Sequence, residues 1–188
     1  MLSWISLAKS PIFIFVLTFV LLGLLRLLLL TTWDILSAIR RAGDQRLPYK
    51  QIALQTISSL FPFNKLYPER AGYSLASISL HLSVLLVAFF LRNHLDILRA
   101  NVGFSWMPVA RPILDVLTLL GILGIGFLLL YRLYRVSSRY LSKAADYLIL
   151  LLLLGIFVSG YLAGRSWNVI PYNSLMLFHT LSGMLLLL

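Results

Sequence analysis

The sequence predicts an all-α polytopic membrane protein, a five-transmembrane-helix bundle, and three observations carry that expectation. Hydrophobic residues make up 60% of the 188 positions. Several apolar runs approach or exceed the ~20 residues a helix needs to cross a bilayer core. Lys and Arg gather mostly at the ends of those runs, where they set topology. No water-soluble core hides so much Leu. The net charge of +10 does not point to nucleic acid, because no basic patch with base-stacking aromatics stands apart from the runs. The charge reads as topology and contact with membrane lipid. The chain has no Cys, so disulfides, thiolate-held iron–sulfur clusters and Cys-based zinc sites are excluded within it.

The first span is expected over about 11–32, opening at Pro11, a tolerated helix start, and interrupted by Arg26. Its apolar run is too long for a signal peptide and lacks a small-residue cleavage site, so it stays as an anchor. Within the basic connection that follows, 48–61 places Ile52, Leu54, Ile57, Leu60 and Phe61 among polar residues at roughly helical spacing. That segment is too short to span and suits the membrane interface. Pro62 and Pro68 then frame a turn.

The second span, about 72–95, carries His81 and His94, two of the three histidines. A loop over 97–111 follows, punctuated by Gly103, Trp106 and Pro108. The third span, about 112–134, opens with Pro112 and Asp115, the carboxylate suiting the positive end of the helix dipole. A short basic turn with interfacial Tyr131, Tyr134 and Tyr140 leads to the fourth span, about 147–164, where Gly160 and Gly164 have the GxxxG spacing of helix packing. The fifth run, about 174–188, contains His179 and stops at Leu188 within an apolar stretch. Its 15 residues fall short of the ~20 required, so the protein is expected to continue past Leu188 with this helix incomplete.

Ten Lys and Arg fall in the one-to-two and three-to-four connections (Arg40 through Arg70 and Arg132 through Lys143), against five on the opposite side: Lys9, Arg92, Arg99, Arg111 and Arg165. The richer side is expected to be cytoplasmic, with the N-terminus outside.

An intramembrane imidazole has no water to satisfy its ring nitrogens, so it is a candidate site in need of a named partner, and a haem iron is such a partner. Read on one helix, His81 and His94 lie ~20 Å apart at 1.5 Å per residue and cannot ligate one ion. Each can serve a different haem. His179 enters the membrane from the outer side at a depth matching His94, which pairs those two at an outer haem. His81 is left to find its partner further along the fifth helix, past Leu188. Arg92, within one turn of His94, is a candidate contact for an outer haem propionate or a plain boundary charge. Arg26 is either a propionate partner or a side chain that snorkels to the headgroups. Asp115 and Asp146 read as helix-start residues.

Together, the phrase HLSVLLVAFFLRNH in the second span, the Asp-led third span and FHTLSGMLLLL in the last one resemble the gamma subunit of respiratory nitrate reductase. They also resemble its relatives, the membrane dihaem cytochromes b of dissimilatory sulfite reductase, heterodisulfide reductase and sulfate-reducer transmembrane complexes. The resemblance covers about 73–188. It implies five helices holding two b haems, with axial ligands in pairs from the second and fifth helices. His81, His94 and His179 match three of the four.

It further implies electron exchange with menaquinone or ubiquinone in a prokaryotic inner membrane. Partner subunits would carry iron–sulfur clusters or be a multihaem cytochrome c, and the chain would be the quinone-reacting part of an oxidoreductase. The rivals are a haem-free membrane anchor of a larger complex and a small transporter. A transporter of the inverted-repeat kind calls for paired broken helices in two halves, and none is visible.

Overall fold

The computed structural model describes residues 2–43, 48–60, 71–165 and 170–188. The turn expected around Pro62 and Pro68 lies outside them, as do residues 166–169. Every regular element among the described residues is a helix, and no strand occurs among them. Among the described residues, four helical stretches are long and apolar enough to cross a membrane: Trp4–Arg41, Ala71–Phe90, Arg111–Tyr134 and Ala144–Ala163.

The first stretch is far longer than the expected 11–32. α1 (Leu2–Leu7) passes through a π-helical turn at Ala8–Ile12 into α2 (Phe13–Ala42). Pro11 sits inside that turn. It has no N–H to give and its ring crowds the carbonyl four residues back, and the wider π turn relieves both problems. Nothing between Pro11 and Gly43 breaks the helix. Gly43 ends it with φ 59, a left-handed conformation that costs glycine little. Every residue from 21 to 36 is exposed to its surroundings. α3 (Tyr49–Leu60) is the short amphipathic helix.

The expected helix over 72–95 is instead two. α4 (Ala71–Phe90) ends at extended Leu91 (ψ 125), and α5 (Arg92–Val102) runs on through the region read as loop until Gly103, φ 77. The last carbonyls of α4 all find donors despite the break. Val87 accepts from the Leu91 N–H at 3.2 Å, Phe90 from the Val109 N–H at 3.1 Å, and Phe89 from the Trp106 indole at 2.8 Å. Val87 and Ala88 also accept from the His94 ring, each at 3.2 Å. A helix end in an apolar setting needs this, because orphan carbonyls there cost several kcal/mol each (of order ~2–7).

α6 (Arg111–Tyr134), a six-residue α7 (Val136–Leu141), α8 (Ala144–Ala163) and α9 (Tyr172–Leu187) complete the described chain. α4 packs on α6, α6 on α8 and α8 on α9, while α9 returns to α1, the π turn and α2. Small residues set the α4–α6 distance: a β-carbon on Gly124 would lie 3.1 Å from the Ala76 carbonyl oxygen, and one on Gly121 would lie 3.1 Å from Ser83 Cβ and run into the Phe157 ring of α8. Leu80, Ile125, Leu128, Leu150 and Phe157 form the core there. Beside it Ser83 Oγ is buried without a hydrogen-bond partner among the described residues. On the far side, Asn101 of α5 donates through Nδ2 to its own Ile97 carbonyl and to the Lys9 carbonyl of the π turn, both at 2.8 Å.

Candidate functional site

The break at Leu91 decides where the histidines fall. His94 sits in the first turn of α5, and His179 lies midway along α9. Their rings come together with centroids 6.0 Å apart and planes within 15° of parallel. His81 stays on α4, exposed, and touches neither. The ~20 Å separation along one helix therefore does not describe the His81–His94 pair, since the two stand on different helices.

All three imidazoles are held in the same way. Nδ1 of His81 lies 2.7 Å from the Ser77 carbonyl oxygen, and Nδ1 of His179 lies 2.9 Å from that of Ile156. Nδ1 of His94 is shared between the Val87 and Ala88 carbonyls. A carbonyl oxygen only accepts, so Nδ1 carries the proton in each ring and Nε2 keeps its lone pair. This is the tautomer and the outer hydrogen bond of a metal-ligating histidine. Burial lowers the pKa of His94 below its ordinary value, against the opposing pull of the Ala88 and Val87 carbonyls. The ring is thus neutral near pH 7, the form that ligates.

The seat of His179 is built by α8. Ser159 Oγ lies 3.3 Å from Nδ1 and itself donates to the Ile156 carbonyl. Gly160 lies under the ring, so close that a β-carbon would sit 2.7 Å from Cε1. One turn on, a β-carbon at Gly164 would lie 2.9 Å from Nη2 of Arg111, whose guanidinium donates to the Gly164 carbonyl. The two glycines of the GxxxG spacing therefore each admit a side chain.

The 6.0 Å spacing brings two imidazoles from different helices beside one another, each with Nδ1 held by a backbone carbonyl. Among the described residues no three His, Cys, Asp or Glu side chains cluster for a metal. The pair offers two nitrogens, the number a protein supplies when a macrocycle fills the remaining positions of a bis-histidine iron.

Arg92 and Arg26 are both exposed, and no described residue pairs with either. The guanidinium groups that are fixed nearby belong to residues given no such role in the sequence reading. Arg165 Nη2 lies 3.4 Å from Asp115 Oδ2, with its Cζ 4.4 Å from the Tyr161 ring centre, and Arg111 is held by Gly164. No motif marks these two arginines, because each lies at a span end, where a basic residue is ordinary.

No family model matches the chain, and no solved structure matches it. A curated protein of Nitratidesulfovibrio vulgaris, whose name is simply "Protein", is 30% identical over 147 residues, covering 75% of this chain. The chain spans 64% of that relative's length.

Proposed function

We propose that this chain is a membrane cytochrome b subunit that exchanges electrons between the quinone pool and a partner subunit. The observation that carries the reading is the His94–His179 pair: rings 6.0 Å apart, from two helices, each with Nδ1 committed to a backbone carbonyl. In this reading His94 and His179 would together hold one haem through their free Nε2 atoms. His81, with the same Nδ1 arrangement, would help hold a second haem. The haem is of b type, because covalent attachment through C-x-x-C-H needs cysteines that the sequence lacks.

Haem supplies one-electron chemistry, and this chain's part is ligation, burial and orientation. α9 counts as a fifth span, packed between α8 and the first helix, and the Lys and Arg distribution puts the N-terminus outside a prokaryotic cytoplasmic membrane. Electrons pass to or from an iron–sulfur or multihaem cytochrome c partner.

One observation favours a second reading, a haem-free membrane anchor. The His94 ring also closes the C-terminus of α4, its Nδ1–H donating to the Val87 and Ala88 carbonyls, a structural role that needs no metal. Reduced-minus-oxidised visible spectra of the purified full-length protein separate the two. A cytochrome gives a b-type difference spectrum with dithionite and with a reduced quinol analogue. An anchor gives none with either, while a dithionite signal that no quinol produces would keep the haem and remove the quinone.

A further inference from the structure

The last turn of α6 carries Arg132, and the connection from there to α8 carries Arg135, Arg139 and Lys143. One acid follows, Asp146, and it is used locally. Its Oδ2 accepts the Lys143 backbone N–H at 2.8 Å and lies 3.8 Å from Arg132 Nη1. That leaves Arg135, Arg139 and Lys143 facing no carboxylate among the described residues. Arg135 instead lies over the Tyr131 ring, 5.7 Å from its centre. The opposite ends of these helices differ, since Arg165 there has Asp115 and Arg111 has the Gly164 carbonyl.

The geometry of the turn sorts charge from apolar surface. α7 is set off from both membrane-length helices by extended residues, Arg135 (ψ 114) and Ser142 (ψ 134). Arg135 and Arg139 are four apart and share one stripe, with Val136 and Tyr140 on the neighbouring stripe. Tyr134, Tyr140 and Leu141 are 81%, 83% and 82% exposed. Large aromatic and aliphatic side chains beside unpaired cations, at the mouth of two spans, match the headgroup level of a bilayer.

We propose that this turn is a binding site for anionic phospholipid, with Arg135, Arg139 and Lys143 on the phosphodiester headgroup and Tyr134, Tyr140 and Leu141 in the acyl boundary. The inference depends on α6 and α8 spanning a membrane and is independent of haem.

Native mass spectrometry of the full-length protein in detergent, titrated with phosphatidylglycerol or phosphatidylcholine, tests it. The wild type is expected to retain phosphatidylglycerol preferentially. Three cations near an anionic headgroup correspond to a preference on the order of tenfold to a hundredfold, lost in Arg135→Gln/Arg139→Gln/Lys143→Gln. Arg135→Lys/Arg139→Lys keeps most of the preference, and the distant pair Arg40→Gln/Arg41→Gln keeps all of it. Should the triple variant fail to fold, Arg139→Gln alone decides, with a partial loss expected. Equal retention of both lipids by the wild type, or an undiminished preference in the neutralised variants, would overturn the proposal while leaving the spans intact.

Discussion

A β-carbon on Gly160 would lie 2.7 Å from Cε1 and 3.0 Å from Nδ1 of His179, so the backbone of α8 and the imidazole of α9 are fitted to each other. Gly160→Ala must push the ring off its Ile156 and Ser159 partners or part the two helices, a cost of about 1–3 kcal/mol. On the proposed cytochrome reading, the expected outcome is a loss of haem per protein in the pyridine haemochrome assay, with helicity by circular dichroism unchanged. Gly183→Ala is the control, since nothing lies within 4 Å of its β-position.

Trp106 closes a carbonyl that α4 leaves open. Trp106→Phe keeps the packing on Phe89, Phe90 and Phe104 but removes the indole N–H bonded to the Phe89 carbonyl at 2.8 Å. A carbonyl left unpaired costs about 1–3 kcal/mol. Thermal unfolding in detergent should show a lower midpoint for this variant than for one altered at exposed Phe104.

Ser83 offers the opposite sign. Its hydroxyl is fully buried between α4 and α6 with no hydrogen-bond partner among the described residues, whereas Thr118 and Thr180 bond to the carbonyls four residues back at 2.7 Å. Ser83→Ala removes a polar atom that has nothing to bond and should raise the unfolding midpoint, by a free energy of about 1 kcal/mol. A clear destabilisation would mean that Ser83 serves a partner in the assembled protein.

The Asp115–Arg165 pair is partly exposed at 3.4 Å. Exposed pairs contribute ~0–1 kcal/mol. Asp115→Asn should therefore shift the unfolding midpoint little and leave haem content unchanged.

The apolar runs were legible because hydrocarbon selects length and composition directly, and the third span was bounded within a residue by Pro112 and Tyr134. The extent of α2 was not, because residues 33–42 are polar enough to read as a loop while containing no Gly or Pro to stop a helix. The break at Leu91 left no local mark either. It is made possible by donors from later in the chain, Trp106 and Val109, and by His94 itself. That the His94 and His179 rings are neighbours agrees with the depth expected for them, although that depth assumes a continuous helix that the chain breaks at Leu91. The seat at Gly160 could not be anticipated, because a GxxxG spacing says that something approaches closely without saying what.

The most direct test of the His94–His179 assignment is electron paramagnetic resonance of the oxidised full-length protein, compared with His94→Ala and His179→Ala. The account predicts a low-spin ferric signal of two axial imidazoles that both variants abolish or convert to high spin, because one iron loses one ligand in each. A protein with no haem signal, or one whose low-spin signal survives both substitutions unchanged, would contradict it.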